Sequence, residues 1–279
     1  AYPFYSSFTE SMAERDSATG LELYRMLLSY LSNALSAFDP KSSEYRSSLD
    51  SIIEISRRIL AVDSSDDETR KKAEEALRLK YASSSRLDEC MKKHRIAKAQ
   101  DAAKAIDAFE KDIAYSSGTY VLQKATRRIG LIVDVKGGMV TVRYSSSDTQ
   151  NTTLESAYNT LTPLTKQNIK VIKKGVPAQK IKAKILGEGG IEWLVRTLLY
   201  SANDHKATLK DMKAEVVPSI LEESDWKGLS DKIKAELREN SYVRIIPGST
   251  DVYQLTAYPS TQEEKVSYIF RNEPSFYKK

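Results

Sequence analysis

Cys90, His94 and His205 are the residues of this chain best suited to nucleophilic or metal chemistry. Cys90 and His94 lie four apart, which puts both on one face of a helix. A structural zinc site, however, wants four such ligands, and a catalytic one wants three with an open position. No nucleophile elbow or glycine-bracketed serine is present to build an acyl-transfer site. The many carboxylates fall in stretches of mixed charge, where a solvated helix face is the expected setting. The sequence therefore predicts no catalytic residue, no metal site and no cofactor. One cysteine makes no internal disulfide and fits a reducing, cytoplasmic compartment.

What remains is cationic. The net charge of +5 is unevenly placed: residues 1–115 hold 18 Lys/Arg and 20 Asp/Glu, while residues 116–279 hold 25 and 18. Between Glu155 and Glu188 there is no acid, yet Lys166, Lys170, Lys173, Lys174, Lys180, Lys182 and Lys184 fall there. With Arg127 and Arg128 these are the candidate binding residues. Clustered cations repel one another unless water or an external anion receives them, so they are expected mostly exposed. A phosphate backbone or an acidic protein face is the partner class they predict.

The elements that must carry them read as mainly α with small β modules, an α+β chain. Residues 1–115 form a helical region. Leu21, Tyr24, Leu28, Leu31, Leu35 and Phe38 recur at helical spacing, and Asp39-Pro40 ends that run. A second helix follows through Ile52 and Leu60, a third over 67–82 and a fourth, long one over 86–114. Successive helices with short joints suggest a tetratricopeptide-like array, although no clean 34-residue repeat is present.

The period changes after Gly118. Ile129, Leu131, Val133 and Val135 alternate, Gly137-Gly138 is a tight-turn pair, and Val140, Val142 and Tyr144 return. Residues 116–165 are thus expected to form a small β-barrel-like module of the Tudor or KOW kind. Lysine-rich connecting helices occupy 166–188. Gly187-Glu188-Gly189-Gly190 reads as a joint, since it lacks the strand and Lys-Ser/Thr of a nucleotide loop.

Residues 189–258 give three helices, near 191–201, 208–217 and 223–239, then strands 242–246 and 252–255. This is a winged-helix order with Trp193, Leu198, Trp226, Leu237 and Tyr253 in its core. Glu222, Glu223, Asp225, Asp231, Glu236 and Glu239 interleave with cations along 223–239, which opposes insertion into a DNA groove and favours protein contact. Residues 259–279 are a C-terminal helix and tail. No stretch approaches the roughly 18 apolar residues of a membrane span, and no signal-peptide order opens the chain.

Two passages resemble the non-catalytic front part of long, spirochete-type GreA transcription elongation factors. They are AIDAFEKDIAYSSGTYVLQKATRRIGLIVDVKGGMVTVRY and ATLKDMKAEVVPSILEESDWKGLSDKIKAELREN. The tail TQEEKVSYIFRNEPSFYKK is similar to the helix that follows in that family. The likeness covers about 105–279 and is most specific at Val217-Pro218-Ser219-Ile220 with Asp225-Trp226. The family's Trp-Gly-Val-Gly turn is replaced by Lys124-Ala125-Thr126-Arg127-Arg128, and its second tryptophan by Leu229 or a neighbour. The resemblance implies RNA polymerase, or nucleic acid beside it, as partner. It also implies that transcript cleavage depends on an acidic-tipped coiled-coil hairpin that this chain does not contain. A stand-alone protein–protein adaptor and a direct nucleic-acid binder using the 166–184 lysines are the alternative readings.

Overall fold

A computed structural model describes residues 9, 12–13, 16–256 and 259–272. The expectations for residues 1–8, 10–11, 14–15, 257–258 and 273–279 lie outside the described residues. The chain divides into two compact units, Ala1–Thr119 with Gly130–Pro163, and Tyr120–Ile129 with Leu164–Lys279.

In the first unit, polar residues start most of the helices. Asp16, Ser42, Asp66 and Asp101 each accept a backbone N–H of the first turn, which satisfies a donor that the helix itself cannot. They open α1 (Ser17–Ala34), α2 (Ser43–Val62), α3 (Asp67–Lys80) and α5 (Ala102–Ile113); the short α4 (Leu87–His94) has no such cap. The apolar stripes close one core through Leu28, Leu49, Ile53, Ile59, Leu77, Ile106 and Phe109.

The long helix expected over 86–114 is broken. Arg95 turns left-handed at φ 45°, a 3-10 turn covers Ile96–Lys98, and α5 restarts after its Asp101 cap. Apolar period alone does not see this break, because Ile96 stays buried on both accounts. The carbonyls it frees are taken by the Arg70 guanidinium, which donates to Ala97 O and Ala99 O at 2.9 Å each.

Five short strands follow: β1 (Tyr120–Gln123), β2 (Ile129–Lys136), β3 (Met139–Arg143), β4 (Thr149–Thr153) and β5 (Leu161–Leu164), with α6 (Leu154–Thr160) before the last. Gly137 and Gly138 both have positive φ, at 58° and 75°, as a two-residue hairpin turn requires. Lys136 then faces Met139. Gly130 is obligatory, because a Cβ there would collide with Val142 and the Tyr144 ring. The fully buried β2 side chain is Ile132, while Ile129, Leu131, Val133 and Val135 are half-buried.

The expected barrel does not form. The strand order is β4-β3-β2-β1-β5, an open sheet whose two ends are different strands. Closure needs every strand to supply inward side chains. Strand β4, Thr-Gln-Asn-Thr-Thr, has no apolar residue to give and no buried position. The fold is therefore mixed α+β, with two small open sheets and a helix-turn-helix-like region, rather than mainly α with a barrel.

That helical region is in the second unit. Its elements are α7 (Ile169–Gly175), α8 (Ala178–Leu186), α9 (Gly190–Ser201), β6 (Lys206–Thr208), α10 (Leu209–Val216), α11 (Glu223–Glu239), β7 (Val243–Ile246), β8 (Val252–Leu255) and α12 (Gln262–Asn272). The second sheet has the order β6-β8-β7. Strand β6, three residues long, gives no periodic signal in the sequence. Leu198, Trp226, Leu237 and Tyr253 are buried in one core, and Trp193 packs at its margin, half-exposed. Lys265 of α12 is buried and donates to Arg238 O at 2.9 Å and Asn240 O at 2.5 Å, at the C-terminal end of α11. A cation there also meets the negative end of the helix dipole.

Candidate functional site

Two side-chain groupings carry enough polar chemistry to be weighed. The first surrounds Asp112 in the first unit. Its carboxylate is buried and accepts from Lys93 Nζ at 2.6 Å, from His94 Nε2 at 2.7 Å and from the Tyr158 hydroxyl. Burial pushes the Asp112 pKa up, but these hydrogen bonds outweigh it, and the net shift is downward. Arg86, also buried, donates to Asp112 O at 2.7 Å and Tyr115 O at 3.0 Å. Cys90 is nearby on α4, and burial raises its thiol pKa. A nucleophilic cysteine needs the opposite shift. This grouping ties α4, α5 and α6 together and leaves no atom poised for reaction. Among the described residues no group of three or more His, Cys, Asp and Glu is placed to hold a metal ion.

The second grouping is on α9. Leu194, Val195, Leu198 and Leu199 turn one face of this helix into the core. Gly189, Trp193, Arg196 and Tyr200, at spacings of three and four, make the opposite face. They line a cleft of about 510 Å³ together with Lys166, Ile172 and Leu255. The rings on and beside α9 are already partnered on one side. Lys184 Nζ stands 4.2 Å above Trp193, Arg196 lies 5.5 Å over Tyr242, and His205 stacks on Tyr200 at 5.3 Å and 19°. Arg196 also meets Glu192 at 3.5 Å. The Gly-Glu-Gly-Gly joint has a packing reason, because a Cβ on Gly190 would strike the carbonyls of Lys184 and Ile185.

The expected binding cations separate into two sets. Lys166, Lys174, Lys180, Lys184, Arg127 and Arg128 are exposed; Lys170, Lys173 and Lys182 are half-buried. Lys170 pairs with Glu215 at 2.6 Å, and Lys173 donates to Glu215 O at 2.8 Å. Burial holds the Lys173 pKa down despite Glu215. Lys182 pairs with Asp225 at 2.5 Å, a bond that raises its pKa. Lys174 donates to Ile129 O. The compensating acids, absent from the local sequence, come from α10 and α11. Lys166 lines the α9 cleft and Lys184 stands over Trp193, whereas Arg127 and Lys170 line a second cleft of about 410 Å³ with Lys206 and Asp211. The sequence reading missed Arg196, Tyr200 and Tyr242. The signal that could have found the first two is their spacing from Trp193.

Residues 171–260, which contain α9 to α11 and the second sheet, match the model of the GRAD helix-turn-helix domain. A Treponema pallidum protein named for GreA-associated domains is 30% identical over 226 residues, covering 81% of this chain and 34% of the relative. Transcription elongation factor GreA of Borreliella burgdorferi is 28% identical over 236 residues, covering 83% of this chain and 25% of the relative. The chain is homologous to spirochete GreA-associated and GreA proteins over much of its length. It spans about a third and a quarter of these two relatives. No solved structure matches it. Among the described residues no helix is long and apolar enough to cross a membrane.

Proposed function

We propose that this chain is a non-catalytic accessory region of a Gre-like transcription elongation protein, acting in the cytoplasm by binding RNA polymerase or nucleic acid beside it. The observation that supports this most is the homology: both relatives are named for GreA, and one for transcription elongation. The site chemistry agrees with binding rather than turnover, since the buried polar groups around Asp112 are mutually satisfied and the α9 face presents cations beside aromatic rings. The outward side chains of α11 alternate in sign, with Glu223, Lys227, Asp231 and Lys232 exposed. Phosphate binding wants cations without interleaved acids, so protein contact through this region is the favoured mode.

The test is capture of purified RNA polymerase on the immobilised chain, with and without nuclease. Retention of polymerase that survives nuclease supports the reading. Retention lost with nuclease assigns the contact to nucleic acid, and no retention above an unrelated protein overturns the proposal.

A further inference from the structure

We propose that the α9 cleft is a docking site for an acidic, extended protein segment that inserts one large apolar side chain beside Trp193. The cleft has the size of a ligand pocket, about 510 Å³ against a usual range of roughly 300–1,000 Å³. Its walls include apolar Ile172, Trp193 and Leu255, its lining cations are Lys166 and Arg196, and Lys184 stands over the Trp193 ring. The one acid in the lining, Glu192, is already met by Arg196. Arg196 has five N–H donors and Lys184 three, so neither is exhausted by its ring or by Glu192. A half-apolar hollow with a surplus of donors matches a segment that alternates carboxylates with an anchor residue.

Single-stranded nucleic acid is the other class such a surface could suggest. Base stacking needs open ring faces and an uninterrupted cationic track. Here Lys184 covers a face of Trp193, His205 one of Tyr200 and Arg196 one of Tyr242. Glu192 on the cleft wall interrupts the track. The geometry therefore favours the acidic segment. The inference rests on the proposed function only in taking the chain to act by contact. Its test uses no polymerase, so the two can fail separately.

The probe is a short fluorescein-labelled Glu-rich peptide with one central Phe, titrated into the full chain and read by polarisation. Tryptophan emission serves as a second readout, since Trp226 is buried and Trp193 is half-exposed. Saturable binding is expected, with a change in tryptophan emission. A peptide with Ala in place of Phe should bind about tenfold or more weakly, the ratio that corresponds to burying one large apolar side chain. Arg196→Glu combined with Lys166→Glu should abolish binding while leaving the melting curve unchanged. Lys180→Glu, a site exposed on α8 outside the cleft lining, should bind as wild type. The proposal is overturned by any of three results: no binding of the peptide, unchanged binding by the double variant, or tighter binding of oligo(dT) that displaces the peptide.

Discussion

The two units hold similar numbers of cations but dispose of them differently. The first has 20 Lys/Arg against 23 Asp/Glu, the second 23 against 15. In the first unit the charges cross-link helices. Glu110 accepts from Arg57, Lys80 and Tyr81, Arg25 of α1 reaches Asp63 and Asp66 beyond α2, and Asp112 takes three donors. In the second unit Glu215 and Asp225 satisfy Lys170, Lys173 and Lys182, while Lys166, Lys174, Lys180 and Lys184 of the same stretch remain exposed, Lys184 over the Trp193 ring. A near balance of charge lets side chains be consumed in packing; a surplus cannot be consumed internally and is left for solvent or a partner.

The strongest way to break this comparison is through the cores. Trp226→Ala should cost about 3–5 kcal/mol, the usual price of removing a buried aromatic. Phe109→Ala should cost about as much in the first unit. Both tryptophans, Trp193 and Trp226, belong to the second unit, so their emission reports that unit alone. In urea, Phe109→Ala should shift the far-UV transition more than the tryptophan transition. Coincident shifts would show that the two cores unfold as one.

Asp112 sharpens the charge side of the comparison. Asp112→Ala strands the Lys93, His94 and Tyr158 donors and should destabilise by about 1–3 kcal/mol. The pKa values of Asp112 and Glu110 are both lowered in the fold; burial pushes each up, but donors led by Lys93 for Asp112 and by Lys80 for Glu110 prevail. Carboxylates of depressed pKa stabilise the fold above their unfolded value. Below it the unfolded chain binds more protons, and this stability is lost as pH falls through the folded value. Acid titration followed by circular dichroism should therefore show wild type losing stability more steeply below about pH 4 than Asp112→Asn. Parallel curves would remove Asp112 from the acid response.

Smaller effects separate the two sets of lysines. Lys173→Glu sets a second carboxylate beside Glu215 and forfeits the bond to its carbonyl, so a loss of about 1–2 kcal/mol is expected. Lys180→Glu, exposed on α8, should stay within about 0.5 kcal/mol. Equal denaturation midpoints for these two variants would show that the lysine-rich stretch is uniformly solvated, as its local sequence suggests.

Helices were legible wherever an apolar stripe ran between clear stops. Asp39-Pro40 placed the end of the first helical run, and Gly137-Gly138 placed the hairpin. The break at Arg95 was not legible, since it interrupts the backbone without interrupting the apolar period. Strand β4 escaped for a related reason: its polar residues are paired through backbone and through Thr141 Oγ1 donating to Asn151 Oδ1 at 2.9 Å, and they bury nothing that period could reveal. The binding surface was half legible. Cation density along 166–184 was visible, but its division was not.

The amino-acid sequence by itself determined the helical character of residues 17–113, the change of period after Gly118, the charge excess of the later part and the likeness to GreA-type proteins. These are properties of neighbours along the chain, where spacing and side-chain type suffice. Tertiary structure decided that the sheet stays open, that Lys170, Lys173 and Lys182 have internal partners, and that Trp193 borders a cleft instead of filling the core. The lysines' partners lie more than forty positions away, Glu215 for Lys170 and Asp225 for Lys182. Coulomb attraction and exclusion of water act on distance in space, and only the folded chain sets that distance.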